Sequence, residues 1–215
     1  MSIGSASGPR GDGRAPDQMR ALSAELGVQK WAEGSAIITV GNTVVICSAS
    51  VEDRVPPHLR GKLGGRTHEI QRLIGRSLRQ AVDLTKLGER SILIDCDVLV
   101  ADGGTRCASI TGGWIALAIA MRAKKLDQFL TRNIAAVSVG VVDGRPVLDL
   151  PYEEDSRADV DLNVVATESG HYVELQGTAE QEPFDRASLD AMLALADKGI
   201  AELITFQRAT VDSAR

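Results

Sequence analysis

The sequence predicts an α+β layered fold, and three observations predict it. Runs of β-branched residues broken by Gly-Asn, Asp-Gly or Ser-Gly read as hairpins. Stretches with apolar residues at helical spacing follow those hairpins. The succession of hairpins and then a helix comes twice along the 215 residues, a rhythm that suits sheets packed with helices, although no exact internal repeat accompanies it.

Met1 to Arg20 reads as a flexible arm, followed by one domain over residues 21–210 and a tail over 211–215. The first regular element is expected over Gly27 to Thr39, where Val28, Ala36, Ile37 and Ile38 fit strand chemistry. Gly41-Asn42 then turns the chain into a strand from Thr43 to Val51, which Pro56-Pro57 closes. A basic connector leads to a helix with Thr67 as its N-cap and Ile70, Leu73, Ile74, Leu78, Ala81 and Val82 on its core face. Ile92 to Val100 alternates as a strand, with Ile92, Ile94, Cys96, Val98 and Val100 on one face and Asp95 and Asp97 on the other. A helix from Ser109 to Lys124 is rich in Gly and Ala, which permits close approach to a sheet. Two more hairpins turn at Asp143-Gly144 and Ser169-Gly170, and a last helix runs from Ala187 to Gln207 behind an Asp185 cap.

Composition narrows the function. With 44% hydrophobic and 25% charged residues the chain has a folded protein's profile. Its 3% aromatic content leaves little material for a base-stacking platform, so any RNA contact must lean on charge. The longest apolar run, Trp114 to Met121, is far short of a membrane span, and Met1 to Gly13 has no apolar core of a secretory signal, so a cytoplasmic location is expected. Cys47, Cys96 and Cys107 lie far apart without CxxC spacing and read as reduced packing residues. The net charge of −5 hides a polarity: Arg54 to Arg79 is locally +6, whereas Asp143 to Asp190 sums to −10. Arginine outnumbers lysine 18 to 6, a balance that favours forked phosphate recognition.

Three segments offer chemistry. Gly103-Gly104-Thr105-Arg106, between a strand and a helix, places backbone N–H groups, a helix start and a guanidinium together, and so reads as a phosphate cradle or as an ordinary glycine turn. It lacks the endings of the Walker loop and of the dinucleotide fingerprint. Gly64-Gly65-Arg66-Thr67 repeats the pattern at another helix start, so that two arginines are available to clamp one phosphate; Arg72, Arg76 and Arg79 read as surface or interface residues. The acidic stretch from Asp149 to Asp161 concentrates hard oxygen ligands for Mg²⁺ or Mn²⁺, or forms a solvated acidic loop; a strand there puts Asp159 and Asp161 on one face with Asp155 approaching from the loop. Asp95 and Asp97 read as charge-balanced packing, and His58, His68 and His171 as surface residues.

Several ordered blocks resemble the ribonuclease PH family: Gly64-Gly65-Arg66-Thr67-His68-Glu69-Ile70-Gln71-Arg72-Leu73-Ile74-Gly75-Arg76, Asp95-Cys96-Asp97 with Ala101-Asp102-Gly103-Gly104-Thr105-Arg106, and Glu174-Leu175-Gln176-Gly177-Thr178-Ala179-Glu180. Ala32-Glu33-Gly34-Ser35 and Ala135-Ala136-Val137-Ser138-Val139-Gly140 extend the similarity over residues 10 to 207. The resemblance implies the layered βαβ fold of the ribonuclease PH type (ribosomal protein S5 domain 2-like), with mixed sheets packed by helices. It also implies a phosphate-dependent 3′ to 5′ exoribonuclease that trims tRNA precursors and other RNA 3′ ends. It further implies inorganic phosphate as co-substrate, a Mg²⁺ or Mn²⁺ cofactor, and a homo-oligomeric ring of six subunits, a trimer of dimers. By the same resemblance Arg66, Gly104, Thr105 and Arg106 bind phosphate, and Asp155 and Asp161 serve the metal and catalysis, with Asp149 a weaker candidate.

The chain departs from that family between Val55 and Gly64, where an additional strand and an arginine-bearing loop are replaced by Pro56-Pro57-His58-Leu59-Arg60-Gly61-Lys62-Leu63. Arg60 and Lys62 are the RNA-binding candidates left there. Cys107 stands where the family usually has threonine, and Trp31 where it often has histidine. Fewer basic contacts imply weaker RNA affinity with a shallower salt dependence. The alternative is a catalytically reduced RNA-binding or scaffold subunit of a similar ring.

Overall fold

The computed structural model describes residues 10–53, 65–180 and 182–214. In chain order its elements are β1 (Leu22–Leu26), β2 (Gly34–Val40), β3 (Thr43–Glu52), α1 (Gly65–Arg79), β4 (Ser91–Val100) and α2 (Thr105–Ala123). They continue with β5 (Ile134–Val142), β6 (Arg145–Leu148), α3 (Tyr152–Asp155), β7 (Val160–Thr167), β8 (Tyr172–Ala179) and α4 (Arg186–Ser213). The strands form two sheets, ordered β1-β2-β3-β4 and β6-β5-β7-β8. The α+β architecture is as expected. The sheets are antiparallel at every pairing rather than mixed, because the hairpins join neighbours directly and the chain leaving β3 returns through α1 to run back beside it as β4.

Helix α2 is the hub. It packs on β2, β3 and β4 of one sheet, on β5 of the other, and on α1 and α4, and every residue from Cys107 to Ala118 is buried. Its glycines make this possible: a Cβ on Gly112 would lie 2.7 Å from Ile38 Cγ2 and 2.9 Å from Cys47 Sγ. Helix α4 lies against β5, β6 and β7, burying Met192, Ala196, Ile200, Leu203 and Ile204. Asp185 caps it as expected, accepting from the Ser188 N–H at 2.8 Å.

The differences from expectation have physical causes. Gly27 ends β1 in a left-handed turn (φ 67°) rather than opening a strand, and Leu22 to Leu26, which lack a dense β-branched signal, form the outer strand by pairing with β2. Helix α1 begins at Gly65, so Thr67 lies within it. Helix α4 continues past Gln207 to Ser213. The fully buried Gln207 donates Nε2 to the carbonyls of Thr111 (3.1 Å) and Ile134 (2.9 Å), and Val211 is also buried, so residues 211–213 are helix rather than tail. The core face of β4 holds only in its first half. Ile92, Ile94 and Cys96 are partly buried, but Val98, Leu99 and Val100 are 45%, 57% and 49% exposed on the sheet's edge strand. Asp95 and Asp97 are exposed, so they are solvated rather than charge-balanced packing. Residues 10–20, expected within a flexible arm, lie against the second half of the chain with Arg10, Arg14, Met19 and Arg20 buried. The three cysteines are free, with Cys47 and Cys107 buried. Among the described residues no helix is long and apolar enough to cross a membrane.

Candidate functional site

Two turns meet where the sheets' ends converge on the start of α2. The first is Asp102-Gly103-Gly104, which leaves β4 and enters α2. Gly103 and Gly104 both adopt left-handed backbone (φ 74° and 67°), and a Cβ on Gly103 would fall 2.4 Å from the Leu150 carbonyl oxygen, so only glycine lets this turn approach the second one. Gly104 is the N-cap of α2 and offers no side chain to the first-turn N–H groups. That leaves an uncapped helix start, with no acid in its first turn, beside Thr105 and Arg106. Among the described residues no hydrogen bond or ion pair holds the Arg106 guanidinium, which is half-buried.

The second turn runs from Asp149 to Asp155 between β6 and β7. Ser138 on β5 anchors it: the Asp149 N–H donates to the Ser138 carbonyl (2.7 Å) and the Leu150 N–H to Ser138 Oγ (3.2 Å). The acidic segment read as a loop carries a short helix, α3, whose N-cap is Pro151 and whose last residue is Asp155. Asp102 joins the turns, accepting from the Tyr152 N–H at 3.2 Å and from Asn42 Nδ2 at 3.1 Å. Thr43 Oγ1 accepts from the Asp102 N–H (3.0 Å) and donates to the Gly103 carbonyl (2.7 Å).

Asp161, on β7, lies within electrostatic reach of Asp155 and Arg106. Burial and the like charge of Asp155 push its carboxyl up to about 6, with Glu180 adding to the rise and Arg106 and an Asn163 hydrogen bond opposing it. Its Oδ1 is buried without a hydrogen-bond partner among the described residues, while Oδ2 accepts from Asn163 Nδ2 at 3.5 Å. The Cys107 thiol donates to Asn163 Oδ1 at 3.1 Å, which turns the amide so that Nδ2 faces the carboxylate. Burial beside Asp161 and Asp149 pushes that thiol's pKa far up, so Cys107 acts as a neutral donor.

The fold thus gathers Gly104, Thr105, Arg106, Asp155 and Asp161 at one place. Arg66 occupies the second position of α1, a helix packed on α2, and Arg60 and Lys62 lie outside the described residues. Asp159 is exposed just before β7, and its carbonyl accepts from the Glu180 N–H at 3.0 Å. Asp149 is not a free ligand: Oδ1 accepts from Arg20 Nη2 (2.7 Å), and Oδ2 from Arg20 N (2.8 Å), Arg20 Nε (2.9 Å) and Arg14 Nη1 (3.5 Å). Sequence reasoning missed Arg10, Arg14 and Arg20 because three arginines spaced through a polar terminus look like a solvated arm. Arg76 pairs with Glu174 at 2.8 Å on the surface, as expected of that stripe. A separate cavity of about 220 Å³ beside Trp114, Arg132 and Arg208 holds none of these groups.

The profile of the 3′ exoribonuclease family, domain 1, matches residues 18–64 and 57–123, and that of domain 2 matches 133–199. "Ribonuclease PH" of Corynebacterium efficiens is 51% identical over 235 residues, covering 94% of this chain and 96% of the relative. "Ribonuclease PH" of Corynebacterium glutamicum is 51% identical over 240 residues, covering 96% and 98%. Since 94% of this chain is about 202 residues, the first alignment leaves about 30 positions for which this chain has no residue. The domain 1 match breaks within 57–64, where the sequence is shortened. Rice (Oryza sativa) Rrp46 superposes with a TM-score of 0.82 at 18% identity, covering 95% of this chain and 100% of that one. The Archaeoglobus fulgidus exosome with RNA bound to the active site superposes at 0.74 with 23% identity, covering 92% of both. At these identities the two structures speak for the fold.

Proposed function

The chain belongs to the 3′ exoribonuclease family that includes ribonuclease PH, and from that membership we propose that it trims the 3′ ends of tRNA precursors by phosphorolysis. An oxygen of inorganic phosphate attacks the terminal phosphodiester phosphorus, forming a P–O–P bond. The bond from phosphorus to the 3′-oxygen of the penultimate nucleotide breaks. That oxygen leaves as a hydroxyl, taking a proton from the incoming hydrogen phosphate, and a nucleoside diphosphate is released. The nucleophile is already an anion, so the protein's task is alignment and charge neutralisation rather than deprotonation.

The uncapped start of α2 with Arg106, set against a buried carboxylate, is the observation that supports this reading most. Backbone N–H groups of the first turn, Gly104 among them, and the hydroxyl of Thr105 cradle the phosphate; Arg106 supplies a fork, and Arg66 from α1 a second. Asp155 and Asp161 fit a Mg²⁺ or Mn²⁺ ion: Asp161 Oδ1 is buried without a partner among the described residues, and two like charges held together are relieved by a cation. No group of three or more His, Cys, Asp or Glu gathers to hold a metal among the described residues. A Mg²⁺ ion binds through one or two carboxylates and keeps several waters. When bound, the ion supplies charge stabilisation for the phosphorane oxygens and the leaving 3′-oxygen. Arg60 and Lys62 contact the RNA backbone. The exposed apolar end of β4 supports self-association, and we take the assembly to be a homo-hexameric ring in the cytoplasm.

A 3′-extended tRNA transcript tests the reading. Release of nucleoside diphosphate should require both phosphate and Mg²⁺ and be lost in Arg106→Ala and Asp155→Asn. RNA retention without turnover at high enzyme would instead mark a scaffold subunit.

A further inference from the structure

Arg20, from outside both turns of the site, touches each of them. Its side chain is 6% exposed, and its planar guanidinium uses two edges. Nε and Nη2 form a forked pair with the Asp149 carboxylate at 2.9 and 2.7 Å, while Nη1 donates to the Asp102 carbonyl at 2.5 Å and Nη2 reaches the Gly103 carbonyl at 3.4 Å. A Cβ on Gly104 would lie 3.1 Å from Nη2, so the guanidinium sits directly behind the glycine turn. Its own backbone N–H donates to Asp149 Oδ2 at 2.8 Å, which locks the base of the side chain to the same carboxylate. Asp149 in turn adopts left-handed backbone (φ 56°). Burial disfavours the charge on Arg20, but the Asp149 carboxylate outweighs it and raises the guanidinium's pKa, so the fork stays charged.

Arg10 is the natural contrast. It comes from the same segment and is equally buried, but its partners are Glu154, the carbonyls of Leu148 and Asp149 (the latter at 3.0 Å) and, within its own segment, the Gln18 carbonyl at 3.4 Å. Arg10 therefore braces the carboxylate turn alone, whereas Arg20 ties that turn to the glycine turn.

We propose that Arg20, held by Asp149, is a positioning residue for phosphate: it sets the distance between the uncapped start of α2 and the carboxylate turn, so that the phosphate cradle is preorganised before the anion arrives. The proposal rests on the phosphorolytic reading and deepens it. The chemistry requires arginine, because a lysine ammonium keeps the charge opposite Asp149 but cannot reach the Asp102 and Gly103 carbonyls at the same time from one nitrogen.

The test compares Arg20→Lys, Asp149→Asn and Arg10→Lys with wild type by thermal melting, by calorimetric titration of inorganic phosphate without RNA, and by steady-state kinetics. Arg20→Lys should weaken phosphate binding about tenfold or more and raise KM for phosphate in step, the scale of a lost hydrogen bond to a charged group. Its KM for RNA should stay within about twofold, the scatter of a change that leaves that contact alone. Arg10→Lys should lower the melting temperature about as much as Arg20→Lys does and leave the phosphate Kd within about twofold. If Arg20→Lys lowers the melting temperature but leaves the phosphate Kd where Arg10→Lys leaves it, Arg20 is only a structural brace and the proposal is overturned. If Arg20→Lys does not fold, Asp149→Asn decides: it keeps the shape and the left-handed backbone, and a phosphate Kd equal to wild type overturns the proposal just as well. A wild-type protein that neither binds phosphate nor releases nucleoside diphosphate overturns the phosphorolytic reading itself, a separate outcome.

Discussion

Replacing Asp161 by Asn should make this protein more stable and less active at once. In the folded chain the Asp161 carboxyl titrates at about 6, against an ordinary 3.8 in the unfolded chain, because it is buried and shares its surroundings with Asp155 and Glu180. The folded state therefore holds this proton more tightly, and the stability it contributes is fully present below about pH 4 and lost as pH rises through about 6. At about 1.4 kcal/mol per pH unit, the gap sets a ceiling of about 3 kcal/mol that the ionised carboxylate costs the fold above pH 7. Asn has the same shape and no charge, so in the presence of a chelator Asp161→Asn should melt about 5 °C or more above wild type at pH 7.5, on the scale of about 2–4 °C per kcal/mol for a chain of this size. At pH 4.5 the gap should shrink to about 2–4 °C, because the folded carboxyl is then protonated while the unfolded chain's carboxyl is already largely ionised, which leaves about 1 kcal/mol of the difference. Urea unfolding at the two pH values gives the same comparison as free energies. A difference that does not change with pH, or a variant less stable than wild type at pH 7.5, would show that the carboxylate is not held in an unfavourable place and would remove the argument for a cation there.

Four further outcomes are expected. Arg106→Ala should lower kcat/KM for phosphorolysis by about 10²–10³, the cost of removing one preorganised donor from a developing charge, with most of the change in kcat. Gly103→Ala should destabilise the fold by at least about 1–2 kcal/mol from its left-handed backbone alone, and the overlap with the Leu150 carbonyl should add to that; a urea titration checks it. Asp185→Ala should cost about 1 kcal/mol, read as a modest fall in melting temperature with activity unchanged, because it removes only the cap bond to the Ser188 N–H. RNA binding measured across a salt series should give a shallower slope than that of a relative carrying the longer segment, by about 0.7 in log K per log salt for each backbone phosphate contact that is missing.

The parts of this site that lie in one stretch of chain were legible before any fold was known. Gly103 to Arg106 reads as a phosphate cradle or an ordinary glycine turn by residue type and by its place between a strand and a helix, and the fold sets it beside Asp161. The acidic run before a strand offers Asp159 and Asp161 on one face with Asp155 beside them, and it is the family resemblance that selects Asp155 and Asp161 as the pair. The supports were not legible, since they join residues more than a hundred positions apart. Arg20 meets Asp149 and Arg10 meets Glu154 across the whole molecule, and nothing in Met1 to Arg20 distinguishes buried arginines from solvated ones. Asp149 was read as a possible ligand by its type, yet all its oxygens are occupied by arginine donors in the fold. Outer strands misled for a related reason. β1 lacks a dense β-branched run and exists by pairing with β2, and β4 keeps its alternation to Val100 although its last residues face solvent. The last turn of α4 depends on Gln207 reaching two carbonyls, a tertiary bond that overrides the polar sequence around it.

The central claim is that orthophosphate, not water, attacks the RNA 3′ end from a cradle at the start of α2. Radiolabelled inorganic phosphate supplied with an unlabelled 3′-extended tRNA tests it directly. The account predicts that the label appears in the terminal phosphate of released nucleoside diphosphates, and that this incorporation disappears in Arg106→Ala. Nucleoside monophosphates released without label, at a rate indifferent to phosphate, would contradict it.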